Sequence, residues 1–168
     1  MTTNWRISSF SGALLAAYFI PTWTMVAFRI MVSPIQGLYE RPNVAVGLFI
    51  SDHLQLAALP MVRMAWLLAL GKLTVVAFFS IFLALLTWPK TRKSGGSDEP
   101  LTMALVIGSV ISFASMLMAS QVGETAALRL HATELMMLLG TAILLLVERP
   151  TPVRTDLALE HPELAENR

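Results

Sequence analysis

The stretch AWLLALGKLTVVAFFSIFLALL, residues 65–86, decides the fold class, because Lys72 is its only charged residue and nearly all the others are apolar. A transmembrane helix needs about 20 consecutive apolar residues. Three other runs in the chain have a similar length and character. Together the four runs predict an all-α, polytopic membrane protein whose four transmembrane helices pack in a compact bundle.

The overall composition agrees with this prediction. Of the 168 residues, 55% are hydrophobic and 14% charged, whereas soluble domains average roughly 25% charged residues. Little of the chain is left for a separate soluble catalytic domain. The net charge of +1 and the lack of a basic stripe argue against a nucleic-acid partner. The absence of cysteine excludes disulfides and thiolate chemistry.

The boundaries of the runs predict spans at about 10–32, 64–88, 101–120 and 125–147. The segment NVAVGLFISDHLQLAALP, residues 43–60, is too short between its breakers to span a membrane, and it has the ionisable residues Asp52 and His53 at its centre. It predicts a short re-entrant or interfacial helix, with a fifth span as the alternative. The preceding SPIQGLYERPN contains prolines and a glycine, and it is interpreted as a loop.

The distribution of Lys and Arg near the span ends predicts the orientation. Six of these residues fall on one side and four on the other. The basic cluster in 90–93 decides which side is cytoplasmic. We therefore expect a cytoplasmic N-terminus (1–9), an external segment (33–63), a cytoplasmic loop (89–100) and a mobile cytoplasmic tail (148–168). The small size suggests a bacterial inner-membrane protein.

Lys72 needs a partner, since a lone charge near mid-membrane costs roughly 2.5–3.5 kcal/mol on insertion scales. Glu134 is the matching candidate, because the second and fourth spans run in the same direction. Measured from the predicted span starts, Lys72 lies about 12 Å and Glu134 about 13 Å along the helix. The two residues are thus predicted to form an ion pair, or a neutral hydrogen-bonded pair after proton transfer.

Residues around Glu134 extend this prediction. One face of the fourth span carries Ala127, His131, Glu134, Leu138 and Thr141 at spacings of three and four. Lys72, Glu134 and His131 are therefore predicted to form an intramembrane polar cluster, with Asp52 and His53 folding over it as a lid. On the third span, small residues at similar spacing would allow close helix approach: Gly108, Ser112, Ser115 and Ala119.

Two interpretations of the cluster stay open at this point. It can be a structural pair that fixes helix order, or a proton relay or binding site. Histidine and methionine also suggest a metal or haem site, because imidazole together with thioether suits Cu(I). The candidate ligands are His53, His131, Met61 and Met64. Methionine is more often a packing residue, however, and no cofactor is predicted.

The sequence lacks phosphate-loop, zinc-protease and serine-hydrolase motifs, so an enzyme is not predicted. The preferred interpretation is a non-enzymatic accessory, assembly or interaction subunit of the inner membrane. Its expected partners are the lipid bilayer and other membrane proteins or further copies of the chain. The alternatives are a small proton-coupled transporter or permease that uses Lys72, Glu134 and His131, and a periplasm-facing copper or haem site.

Overall fold

A computed structural model describes residues 6–88 and 96–148 of the chain. Helices make up 89% of these residues and no strand occurs among them, so the predicted all-α fold is confirmed. Most of the predicted N-terminal segment 1–9, the first part of the loop 89–100 (residues 89–95) and nearly all of the tail 148–168 lie outside the described residues.

The described part contains six α-helices. In chain order they are α1 (Ile7–Val32), α2 (Pro34–Tyr39), α3 (Val44–Phe49), α4 (Ala58–Leu86), α5 (Asp98–Val122) and α6 (Thr125–Glu148). The four long helices α1, α4, α5 and α6 are each long and apolar enough to cross a membrane. They agree with the predicted number of spans and are consistent with a multi-pass membrane protein.

The four long helices form an up-and-down bundle. α1 packs beside α4, α4 beside α5, α5 beside α6, and α6 beside α1. The chain reverses direction between successive long helices, so neighbouring helices are antiparallel, whereas the non-neighbours α4 and α6 run the same way. We call the end that contains α2 and α3 the upper end, and the end where α1 begins and α6 finishes the lower end.

The connection between α1 and α4 differs in part from the prediction. The loop expected in SPIQGLYERPN contains the short helix α2, which Pro34 begins in the first-turn position that proline favours. α3 is followed by a π-helical turn, Ile50–Leu54, and the two together are too short to be a span. α3 packs against α2 and α5, and α2 packs against α1 and α4.

Gly37 allows α2 to fold back on the end of α1. A Cβ atom at this position would lie 2.7 Å from the Cα of Ile30, a backbone atom that cannot rotate away. Any larger residue would therefore force the two helices apart. This close approach holds the connection against the upper end of the bundle.

The start of α4 also corrects a predicted boundary. The sequence predicts that residues 58–60 belong to the segment before the second span, with Pro60 as a helix breaker. The helix instead begins at Ala58, and Pro60 lies in its first turn. A proline is tolerated there because the first N–H groups of a helix have no intrahelical acceptor.

The apolar core has a lower part and an upper part. The lower part draws residues from all four long helices and includes the stacked rings of Phe19 and Phe79, whose centroids are 5.7 Å apart. The upper part consists of one cluster around Ile30 and Leu38 and a smaller one around Ala45 and Ala119. Buried polar side chains lie where these parts meet.

At the lower end, four residues from three helices or their flanks form a group that we call the clasp: Arg6, Ser8, Asp98 and Glu148. Arg6 forms an ion pair with Asp98 at 2.9 Å and donates to the main-chain oxygen of Glu148 at 2.9 Å. The Glu148 carboxylate accepts from the backbone N–H groups of Ile7 and Ser8 at 2.9 and 3.0 Å, and from the Ser8 hydroxyl. The clasp thus caps the first turn of α1 with a carboxylate from the end of α6.

Candidate functional site

Six buried side chains meet between the lower and upper parts of the core, and we call them the polar cluster. Each of the four long helices contributes at least one of them, and the connection between α2 and α3 contributes another. They are Trp23 of α1, Asn43, Lys72 of α4, Ser112 of α5, and His131 and Glu134 of α6.

Glu134 is the centre of hydrogen bonding in the polar cluster. One carboxylate oxygen accepts from Trp23 Nε1 at 3.2 Å. The other lies 2.9 Å from Nδ1 of His131 and accepts from the Ser112 hydroxyl at 3.4 Å. Three helices therefore hold one carboxylate in place, which offsets much of the cost of burying it.

Lys72 is 2% exposed, and its ammonium has a different set of partners. It donates to Oδ1 of Asn43 at 2.7 Å and lies 5.4 Å from the centre of the Trp23 ring. A cation over an indole face is stabilised by the ring's negative face, and more so when both are desolvated. The ammonium is thus held by an amide oxygen and an aromatic face.

This arrangement corrects the predicted Lys72–Glu134 ion pair. Both residues are in the described part, and the structure has no direct ion pair between them. Trp23 contacts both residues, the ammonium through its ring face and the carboxylate through its N–H. The two charges come from helices that are not neighbours in the bundle, and an indole from α1 links them.

Lys72 and Glu134 lie at the same depth along their two helices, as predicted from the sequence. Lys72 and Glu134 each lie fourteen residues before the last residue of their helix, Leu86 and Glu148 respectively. At about 1.5 Å per residue, both are about 21 Å from the lower end. The predicted face of α6 is also its buried face.

Residues 34–49, which comprise α2, α3 and their connection, include Asn43 and contact the other members of the polar cluster from the upper end. We call them the cover segment. Asn43 is 1% exposed and links Lys72 to the main-chain oxygen of Gly37, to which its amide donates at 3.0 Å. The main-chain oxygen of Pro42 lies 3.0 Å from Nε2 of His131. Two consecutive residues thus join the cover segment to the cluster.

The predicted lid of Asp52 and His53 is therefore replaced by other residues of the same connection. Both side chains are exposed, and the ring of His53 stacks on Phe49 with centroids 4.8 Å apart. The π-helical turn carries them beyond the cover segment, so that Pro42 and Asn43 make the contacts expected of the lid.

The number of protons held by His131 and Glu134 together follows from the two groups that the imidazole contacts. A carbonyl oxygen can only accept, so the contact to Pro42 assigns a hydrogen to Nε2. The 2.9 Å contact between Nδ1 and the carboxylate then needs one more proton, on either partner. The pair is an imidazolium with a carboxylate, or a neutral imidazole with a carboxylic acid.

The four candidate metal ligands differ in burial and in their contacts. His131 uses both ring nitrogens within the chain, His53 is exposed, Met61 packs on the upper core, and Met64 is exposed. Within residues 6–88 and 96–148, no group of three His, Cys, Asp or Glu could hold a metal. The alternative of a copper or haem site that uses His131 would require this residue to give up one of its two contacts.

Sequence reasoning missed Trp23 and Asn43. A tryptophan in the middle of a span is a usable signal, because a buried indole N–H needs an acceptor. Asn43 gives no comparable signal, since an asparagine after a proline is expected in an ordinary turn. Ser112 was identified only as a small residue on a close-packing face.

The fold and the cluster define a class: a helical bundle of four candidate membrane spans with a buried, internally hydrogen-bonded polar layer. Comparison with known proteins adds nothing more specific. No protein family, no curated protein sequence and no solved structure gives a significant match to this chain.

Proposed function

We propose that this chain is a non-enzymatic integral membrane protein that acts as an accessory or assembly subunit in a bacterial inner membrane. One observation carries the proposal: in the described residues, every buried side-chain nitrogen and oxygen has a hydrogen-bond partner within the chain. A polar cluster completed in this way needs no substrate to satisfy it. Its effect is to fix the order and register of the helices, as buried polar groups do in some other helical assemblies.

The outer surface supports a role in assembly. Large apolar side chains are exposed along all four long helices, including Phe10, Leu67, Val110 and Met136. In a membrane these side chains contact lipid or the helices of other proteins. We place both termini on the cytoplasmic side, because basic residues are in excess there.

Chemical cross-linking in native membranes, before detergent extraction, tests the accessory role. We expect the chain to migrate in one discrete complex of fixed stoichiometry with a different membrane protein. Recovery of the chain alone, or only as copies of itself, after efficient cross-linking would contradict the proposal. A double variant, Lys72→Met with Glu134→Gln, should still enter the complex, because it removes both buried charges together.

A proton-coupled transporter is the second candidate, and the shared proton of His131 and Glu134 favours it. A proton that can be held by either of two buried groups is the arrangement that a relay requires. Purified protein in vesicles loaded with a pH-sensitive dye separates the two functions. The accessory proposal expects the same proton flux as in empty vesicles. A relay expects a flux that Glu134→Gln abolishes while the protein stays folded.

A further inference from the structure

The cover segment is attached to the polar cluster by two hydrogen bonds from ionisable side chains. Lys72 donates to the side chain of Asn43 at 2.7 Å, and His131 donates to the main chain of Pro42 at 3.0 Å. His131 also contacts Glu134, which is linked to Lys72 through Trp23. These two hydrogen bonds of the cover segment, unlike its apolar packing on the upper core, therefore depend on which atoms of the cluster carry protons.

We propose that the cover segment is a proton-controlled latch on the bundle. It is closed while His131 and Glu134 share one proton, and it opens when the pair releases that proton to water. No covalent bond changes in this step. The pair goes from zero net charge to one negative charge, and the hydrogen bonds around it rearrange.

The first consequence of proton loss is at His131. A neutral imidazole has one N–H for two acceptors, the Glu134 carboxylate and the Pro42 carbonyl. The carboxylate is the stronger acceptor because it is charged, so the hydrogen moves to Nδ1. The lone pair of Nε2 then faces the Pro42 oxygen at 3.0 Å. A hydrogen bond to the cover segment is replaced by a repulsive contact.

The second consequence is at Lys72. Once the pair has lost its proton, the negative charge of the Glu134 carboxylate is no longer neutralised by that proton, and the carboxylate attracts the nearby ammonium more strongly at this buried site. Any movement of Lys72 toward the carboxylate lengthens its hydrogen bond to Asn43. Loss of a single proton therefore weakens both hydrogen bonds that join the cover segment to Lys72 and His131, and leaves its apolar contacts with the upper core unchanged.

Other titratable, charged and polar groups also lie around the pair of His131 and Glu134, but the test below can separate their effects from that of the shared proton. Tyr18 of α1 is within electrostatic range of Glu134, and α5 contributes the hydroxyl of Ser112. On the cover segment, Glu40 is in an ion pair with Arg29 at 2.9 Å, and Arg41 is exposed. A variant that removes only the carboxylate of Glu134 keeps all of these groups and isolates the shared proton.

Cysteine accessibility can measure opening, because the chain has no cysteine of its own. Val46 of the cover segment is 7% exposed and packs in the upper core, and cysteine is smaller than valine, so Val46→Cys avoids overpacking. Leu54, which is 46% exposed, provides the control Leu54→Cys. The ratio of the two labelling rates with a water-soluble maleimide cancels the effect of pH on thiol reactivity.

We expect this ratio to rise by about tenfold or more from acidic to alkaline buffer, which is the effect of losing one hydrogen bond that involves a charged group. In Glu134→Gln the ratio should stay low at every pH, because the amide donates to Nδ1 and leaves the hydrogen on Nε2. His131→Gln should also remove the pH response, since its amide donates to Pro42 and does not titrate. Helical circular dichroism identifies any variant that fails to fold.

A constant or falling ratio in the unsubstituted background would overturn the latch. So would a pH response that persists in Glu134→Gln, because it would come from Lys72, Tyr18 or another group. The result does not depend on the proposed accessory role, since accessibility is measured on the purified protein without a partner or a transport assay.

Discussion

Two glutamates of α6, Glu134 in the polar cluster and Glu148 in the clasp, hold the bundle together in different ways. Glu134 is buried and accepts hydrogen bonds from the side chains of three helices. Glu148 is partly exposed and accepts mainly from the first backbone N–H groups of α1. One carboxylate organises the interior, and the other closes an end.

The difference in surroundings determines what each contact contributes. A partly exposed ion pair contributes about 0–1 kcal/mol, and salt weakens it. Removing one partner from a buried charged pair costs about 3–5 kcal/mol, because the other charge is left without compensation. We therefore expect substitutions in the polar cluster to affect folding much more than equivalent substitutions in the clasp.

The largest effect is expected for His131→Leu. This change removes the closest partner of the Glu134 carboxylate, which keeps only Trp23 and Ser112, and it removes the donor to the Pro42 carbonyl, so the free energy of unfolding in detergent should fall by about 3 kcal/mol. His53→Leu is the matched control, because that histidine is exposed and should change stability by less than about 0.5 kcal/mol. Equal effects of the two substitutions would mean that the His131 contacts do not form.

Asn43→Leu should have the next largest effect. It removes the acceptor of the Lys72 ammonium and the donor to Gly37, and the expected loss is about 2 kcal/mol. Hydrogen exchange of the cover segment should also become faster. Gln36→Leu, an exposed amide on α2, is the control. Unchanged exchange in Asn43→Leu would show that this residue does not hold the cover segment.

Trp23→Phe tests the link between the two charges. The ring is largely kept, but the hydrogen bond to Glu134 is lost, so stability should fall by about 1–2 kcal/mol. Trp66→Phe removes an indole N–H from a residue that is 39% exposed and should have little effect. The comparison is made by denaturant unfolding under identical detergent conditions, and similar losses would contradict the proposed bridging role.

The smallest effect is expected in the clasp. Glu148→Gln should lower stability by about 1 kcal/mol or less at low ionic strength, and the difference should shrink in high salt. Glu99→Gln, at an exposed glutamate near the start of α5, is the control. A loss as large as that of His131→Leu, or one that salt does not change, would contradict the distinction between the two regions.

Hydropathy and spacing predicted the four long helices, the buried face of α6 and the level of the two charges. They did not predict how α2 and α3 fold, because that depends on the close approach at Gly37 and on contacts with other helices. The ion pair was wrong for a related reason. Depth along two helices says how high a residue lies, but not whether Trp23 from a third helix lies between two charges.

The central claim is that the Lys72 ammonium is bound by Asn43 and Trp23 rather than directly by Glu134. Solid-state NMR of the protein in lipid, with labelled lysine side-chain nitrogen and labelled asparagine or glutamate side-chain carbon, measures this most directly. We predict strong dipolar coupling between Lys72 Nζ and the Asn43 side chain, as the 2.7 Å contact requires, and its loss in Asn43→Leu. Contact-distance coupling from Lys72 Nζ to a glutamate carboxyl carbon, without coupling to Asn43, would contradict the account.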